Sequence, residues 1–111
     1  MASKTQKAKA KALAISTDTY NEVYERDGGC VLCQRLGIHP SIKDFMPPAD
    51  YHHYIPKARS GMGIARNLIM LCRYHHKDCN KWKEEIEAYF KECYSDWNKE
   101  ELVFKKEGVY K

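Results

Sequence analysis

The chain has no long hydrophobic run. None of its 111 residues belongs to an apolar stretch near the roughly 20 residues that cross a bilayer. Its lysine-rich N-terminus lacks the apolar centre and small-residue cleavage site of a secretory leader. An intracellular, cytoplasmic setting is therefore expected. Internal repeats are absent, which excludes solenoid and array architectures. The first fifteen positions contain no acid, only Lys4, Lys7, Lys9 and Lys11 among mostly small residues. Residues 1–15 are read as a flexible basic arm, either solvated or in contact with phosphates. A single domain is predicted over 16–111, with its core at about 22–94.

What is present suits one thin-cored globular domain. Eight tyrosines bring the aromatic share to 12% and the apolar share is 43%, too much buried-type surface for a disordered chain. Positive charge sits in the arm and in residues 16–83, which hold ten basic and seven acidic residues. Residues 84–111 invert the balance, with five basic and eight acidic. A positive N-terminal part and middle suit a polyanion such as nucleic acid.

Ordered structure is predicted to begin near Ser16. Thr19 and Glu22 have the spacing of a capping box, and Tyr20, Val23 and Tyr24 share one helical face. Gly28 and Gly29 stop that helix and deliver the chain to Cys30. Residues 30–50 read as loop, interrupted by Gly37, Pro40, Pro47 and Pro48. Short strands are predicted at about 50–55 and 68–71, separated by a loop containing Gly61 and Gly63. The longest helical signal runs from about Tyr74 to Tyr94. Trp82, Ile86, Tyr89 and Cys93 lie on one of its faces, a face that covers the core or joins a second copy. Ser95 or Asp96 caps a final helix through Phe104.

Five cysteines, an odd and clustered set, favour metal ligation over disulfides. Cys30-x-x-Cys33 is followed after a long gap by Cys72-x-x-His75. Two pairs of soft ligands, each two residues apart, let two turns present four side chains to one tetrahedral structural Zn²⁺. No thioredoxin-like βαβ pattern surrounds the CxxC, so a redox role is disfavoured. Cys79 is the alternative fourth ligand if His75 points away, and Cys93 is assigned to the core.

Between the two halves of the zinc site lies Asp50-Tyr51-His52-His53-Tyr54-Ile55-Pro56, then the glycine loop, Asn67-Leu68, and Leu71-Cys72-Arg73-Tyr74-His75-His76. These residues resemble the HNH endonuclease family. Its pattern is an Asp-His or His-His pair with a nearby proline, a loop, an Asn-Leu, and a Leu-Cys-x-x-Cys-His that opens a helix. The approach Tyr24-Glu25-Arg26-Asp27-Gly28-Gly29-Cys30 resembles that family's first zinc knuckle. The resemblance spans about residues 22–82.

It implies an α+β fold with a ββα-metal core, a structural zinc site, an N-terminal helix and C-terminal helices. It implies that His53 is the general base, that His52 and His76 hold a catalytic divalent ion, and that Asn67 ties the loop down and orients the base. The implied reaction is hydrolysis of DNA to a 5′-phosphate and a 3′-hydroxyl, in a small stand-alone nuclease of phage or bacterial type. Two departures stand out: the second zinc pair ends in His75 rather than cysteine, and His52 replaces the commoner aspartate.

The chemistry is coherent without the family. Neutral imidazole is a suitable base near pH 7, and a divalent ion neutralises charge at the phosphoryl group. Two imidazole ligands favour Mn²⁺, Co²⁺ or Ni²⁺ over Mg²⁺; strict Mg²⁺ dependence would point to Asp50 instead. On a strand His52 and His53 project to opposite faces. His39 is read as structural or solvent-exposed, Tyr51 and Tyr54 as packing residues. Lys57, Arg59, Arg66, Arg73 and Lys77, with Lys81 and Lys83, are candidates for phosphate contacts of low sequence specificity. The other readings are a zinc module that binds nucleic acid or a protein partner without catalysis, and a nuclease subunit active only within a larger complex.

Overall fold

The computed structural model describes residues 4–37, 48–77 and 79–105. His39, Pro40 and Pro47 lie outside the described residues, as do both chain ends. Helices α1 (Lys4–Leu13), α2 (Thr17–Asp27) and α3 (Val31–Leu36) precede strand β1 (Ala49–His53). Strand β2 (Leu68–Cys72) runs without a break into α4 (Arg73–Lys77), and α5 (Lys83–Cys93) follows. Among the described residues the architecture is α+β, with a two-stranded antiparallel sheet whose register pairs Ala49 with Cys72 and His53 with Leu68. No helix of the described residues is long and apolar enough to cross a membrane.

Local chemistry accounts for the boundaries. Ser16 caps α2, its hydroxyl accepting from the Thr19 amide at 3.1 Å. Serine supplies an acceptor to an otherwise unpaired N–H of the first turn. The cap is thus three residues earlier than the Thr19/Glu22 box predicted from spacing. Gly28 ends α2 in the left-handed conformation at φ 66° and donates its N–H to Tyr24 at 2.8 Å, as the double glycine implied. Cys30 then caps α3, a six-residue helix where the sequence suggested only loop.

Strand β2 is buried along its whole length and divides the core. Ile69 and Leu71 meet Leu32, Ile86, Phe90, Trp97 and Leu102 from α3, α5 and the C-terminal segment. Leu68 and Met70, one residue out of phase, meet Val23 of α2 and Ala65. Of the predicted α2 face only Val23 is buried; Tyr20 and Tyr24 are exposed.

The single long helix predicted from Tyr74 to Tyr94 is three pieces: α4, a 3₁₀ turn at Cys79–Trp82, and α5. Ile86 and Phe90 of α5 are buried and Trp82 and Tyr89 pack partly buried against the same core, whereas Cys93, the last residue of the helix, is exposed. Cys93 is therefore not a core residue. In place of a terminal helix from Ser95 or Asp96, Asn98 caps a 3₁₀ turn at Lys99–Leu102. Residues 4–13, read as part of a flexible arm, form α1. Alanine and lysine are strong helix formers, and the helix end is docked on the chain.

Candidate functional site

The cysteine pairs converge because each occupies the first turn of a helix. Cys30 and Cys33 flank the start of α3, and Cys72 ends β2 just before His75 in α4. His75 Nδ1 lies 3.3 Å from Cys30 Sγ, 3.5 Å from Cys33 Sγ and 3.3 Å from Cys72 Sγ, with Cys33 and Cys72 Sγ 3.7 Å apart. A tetrahedral Zn²⁺ with bonds of roughly 2.3 Å to sulfur and 2.0–2.1 Å to nitrogen sets ligand atoms about 3.6–3.8 Å apart. All four side chains are buried and their donor atoms lie within 4.8 Å of one another. The arrangement could hold one structural metal ion such as zinc.

Burial, then the neighbouring Cys30 and Cys72 thiols, push the Cys33 thiol up to about 12, and burial raises Cys30 as well. Three buried thiolates would repel one another unless a cation neutralised them, so filling the cage is coupled to proton release. His75 also packs edge-on against Trp82, ring centroids 5.3 Å apart. Cys79, the alternative ligand, is not in the cluster.

The hairpin brings the histidines of the two segments together. His52 on β1 and His76 on α4 face each other edge-on, ring centroids 4.7 Å apart. Two imidazoles bound to one ion at about 2.1 Å have centroids roughly 4.6 Å apart at a right angle and roughly 5.3 Å apart at a tetrahedral one, so the spacing is compatible with a shared cation. Among the described residues no third Cys, His, Asp or Glu joins this pair in a ligand cluster. Asp50, two residues back on β1, is exposed. Burial, with His76 and His53 adding like charge, lowers the His52 pKa to about 4.

His53 points the other way, as the strand period requires. Its Nε2 donates to the Leu13 carbonyl at the end of α1 at 3.1 Å. Burial lowers its pKa; the Leu13 carbonyl opposes that shift and Lys57 adds to it.

Asn67 is fully buried, and its side-chain hydrogen bonds go to the loop backbone and not to either histidine. Its Oδ1 accepts from the Ile55 amide at 2.8 Å, and its Nδ2 donates to the carbonyls of Ile55 at 3.1 Å and Met62 at 2.8 Å. The side chain clamps both ends of the loop that follows the histidines. Gly61 is part of the same clamp, since a Cβ there would fall 1.6 Å from the Ile55 carbonyl oxygen.

A cleft of about 460 Å³ opens beside His52, floored by Tyr54, Ile55 and Ile86 and edged by Arg59 and Lys83. Cys79 lines it too. Of the basic residues singled out from the sequence, Lys57, Arg59, Arg73 and Lys77 are exposed. Arg66 is engaged elsewhere, 2.9 Å from Asp96 and over the Tyr94 ring at 4.8 Å. Tyr51 and Tyr54 pack as expected, Tyr51 edge-on to Tyr20 and Tyr54 against Phe90 and Trp97. Sequence reasoning missed the Leu13 carbonyl and Gly63, which meet His53 and α1. The spare glycine beside Gly61 was the one available signal.

Comparison with family models, with curated proteins and with solved structures found no match.

Proposed function

We propose that the protein is a metal-dependent DNA endonuclease of the HNH type, with His53 as general base and His52 and His76 as ligands of a catalytic divalent ion. The observation that carries this reading is the 4.7 Å approach of the His52 and His76 rings across the β1–α4 junction. Residues 24 apart in the chain meet there, beside a Cys₃His cluster that joins α3 to the β2–α4 segment carrying His76, while strand pairing with β2 holds the segment of His52. We read the hairpin followed by a helix as a ββα-metal core; the antiparallel β1–β2 pair running into α4 supports that reading.

When bound between the two rings, a divalent ion supplies charge neutralisation at the phosphoryl oxygens and the leaving alkoxide. The protein's own groups do the rest. His53, held neutral by burial, takes a proton from the attacking water. Asn67 and Gly61 fix the loop on which the strand ends. Lys57 and Arg59, exposed on the 3₁₀ turn after β1, and Lys83 across the cleft hold flanking phosphates without reading bases. DNA is the expected partner, bound with little sequence preference.

A plasmid-nicking assay across Mn²⁺, Co²⁺, Ni²⁺ and Mg²⁺ tests the reading. Wild-type protein is expected to nick, and His53→Ala to lose about 10²–10⁴-fold of that activity. A zinc-loaded, folded wild type that nicks with none of these ions, alone or in complex with a partner, would leave a zinc module without catalysis.

A further inference from the structure

The hydrogen bond from His53 to Leu13 fixes more than a helix end. A carbonyl oxygen can only accept, so the hydrogen is on Nε2, and in the neutral ring Nδ1 holds the lone pair. The end of α1 is held in place independently of the histidine. Gly63 donates its N–H to the Ala12 carbonyl at 2.9 Å. A Cβ on Gly63 would lie 2.3 Å from the Ala14 carbonyl oxygen and 2.9 Å from that of Leu13. Gly63 is not among the glycines of positive φ, so the missing side chain serves close approach and not backbone conformation.

We propose that the last turn of α1 is a component of the catalytic centre: seated against Gly63, it uses the Leu13 carbonyl as a positioning group that holds His53 in the Nε2–H tautomer and leaves Nδ1 as the proton acceptor. This rests on His53 being the base. A ring without that acceptor exchanges between tautomers and orientations, and some of those states put a hydrogen on the nitrogen that must receive one or turn that nitrogen away. Misplacement of a reacting group by about 1 Å costs up to roughly 10²-fold. The N-terminal segment thus contributes to chemistry through its backbone, whatever its lysines do.

The test uses the full-length, zinc-loaded protein. The ring ¹⁵N shifts of His53, assigned by their loss in His53→Gln, read the tautomer without any turnover. The Nε2–H form with no detectable minor tautomer is expected, and an Nδ1–H ring, or the tautomer mixture of a free histidine, overturns the proposal. Gly63→Ala forces a methyl group against the backbone of α1. The variant is expected to retain its zinc, to show a mixture of His53 tautomers, and to nick about 10- to 100-fold more slowly. A zinc-loaded Gly63→Ala protein that nicks as fast as wild type, or faster, overturns the proposal too. Should the variant fail to fold, the wild-type spectrum decides. Should the wild type fail to nick with any of the four ions, alone or in complex with a partner, the reading of His53 as a base fails, while the spectrum still decides whether Leu13 positions the ring.

Discussion

Asp27 Oδ2 accepts the backbone N–H of Met70 at 2.9 Å, which joins the end of α2 to the centre of β2. The carboxylate is fully buried and also accepts from Arg26 Nη2 at 2.9 Å and from the Tyr89 hydroxyl. Arg26 in turn donates to the Ala65 carbonyl at 2.7 Å and lies over the Tyr89 and Phe90 rings. One ion pair therefore ties α2, β2 and α5 together.

Removing the carboxylate strands a mostly buried guanidinium and an unpaired strand amide. Asp27→Ala is expected to destabilise the zinc-loaded protein by about 3–5 kcal/mol, and Tyr89→Phe by about 1 kcal/mol. Urea unfolding at saturating zinc measures both. A loss below about 1 kcal/mol for Asp27→Ala would show that the pair is dispensable.

The Cys₃His cage predicts one tightly held zinc per chain. Zinc binding of this kind contributes on the order of 10 kcal/mol, comparable with the whole stability of a small domain. A strong chelator, or Cys33→Ser, is expected to abolish the cooperative melt seen by circular dichroism. Metal analysis that finds no zinc, together with an unchanged melt in chelator, contradicts the assignment.

At the second pair, two neutral nitrogen ligands add no negative charge, so Mn²⁺, Co²⁺ or Ni²⁺ is expected to support nicking at least as well as Mg²⁺. His52→Ala and His76→Ala should each remove most activity while leaving the zinc content intact. Strong Mg²⁺ activity with none from the other ions would shift the assignment to Asp50.

The pH dependence has a definite sign. On the proposed reading His53 works as a base when unprotonated, and burial lowers it below the ordinary imidazole range. The acid limb of the nicking profile is therefore expected below pH 6.5, the unperturbed value. His52, lowered to about 4, takes up its proton at lower pH in the native state than in the unfolded chain. Its contribution to stability is full above about pH 6.5 and is lost as pH falls toward 4. An acid limb above pH 7 would be incompatible with these surroundings.

Charge around the cleft predicts a salt response that separates the basic residues. Each lost phosphate contact lowers the slope of log affinity against log salt by about 0.9. Arg59→Ala combined with Lys83→Ala is expected to reduce the slope by about 2. Arg66→Ala, which breaks a pair with Asp96, should leave it unchanged. Binding measured by fluorescence anisotropy between low and physiological salt distinguishes them.

The parts of this fold legible in the sequence are those whose constraint is short in range. Cys30-x-x-Cys33 and Cys72-x-x-His75 declare a metal cage because one turn fixes each pair, and Gly28 declares a helix end because few residues accept its φ. The strands at 49–53 and 68–72 lie close to their predicted positions. What stayed hidden depends on partners distant in sequence. Adjacent charges at Arg26 and Asp27 look like solvated surface until Met70 and Tyr89 surround them. Arg66 resembles a phosphate ligand until Asp96 and Tyr94 claim it. Cys93 matches the helical period of Ile86, yet α5 starts only at Lys83 and ends at Cys93, so the last position turns outward. The helical character of residues 4–13 was masked by their charge, and their docking is decided at Gly63.

The loop after β1 is gripped from far downstream. Met62 donates to the Leu102 carbonyl and Phe104 to that of Ser60, each at 2.8 Å, around a bridge between Gly61 and Val103. A peptide excised at the end of α4 would carry every cysteine and histidine of the two clusters and still lack this grip. Grafting the hairpin into another scaffold would need a surrogate for that tail, because the shape of the loop is borrowed from a piece of chain forty residues away.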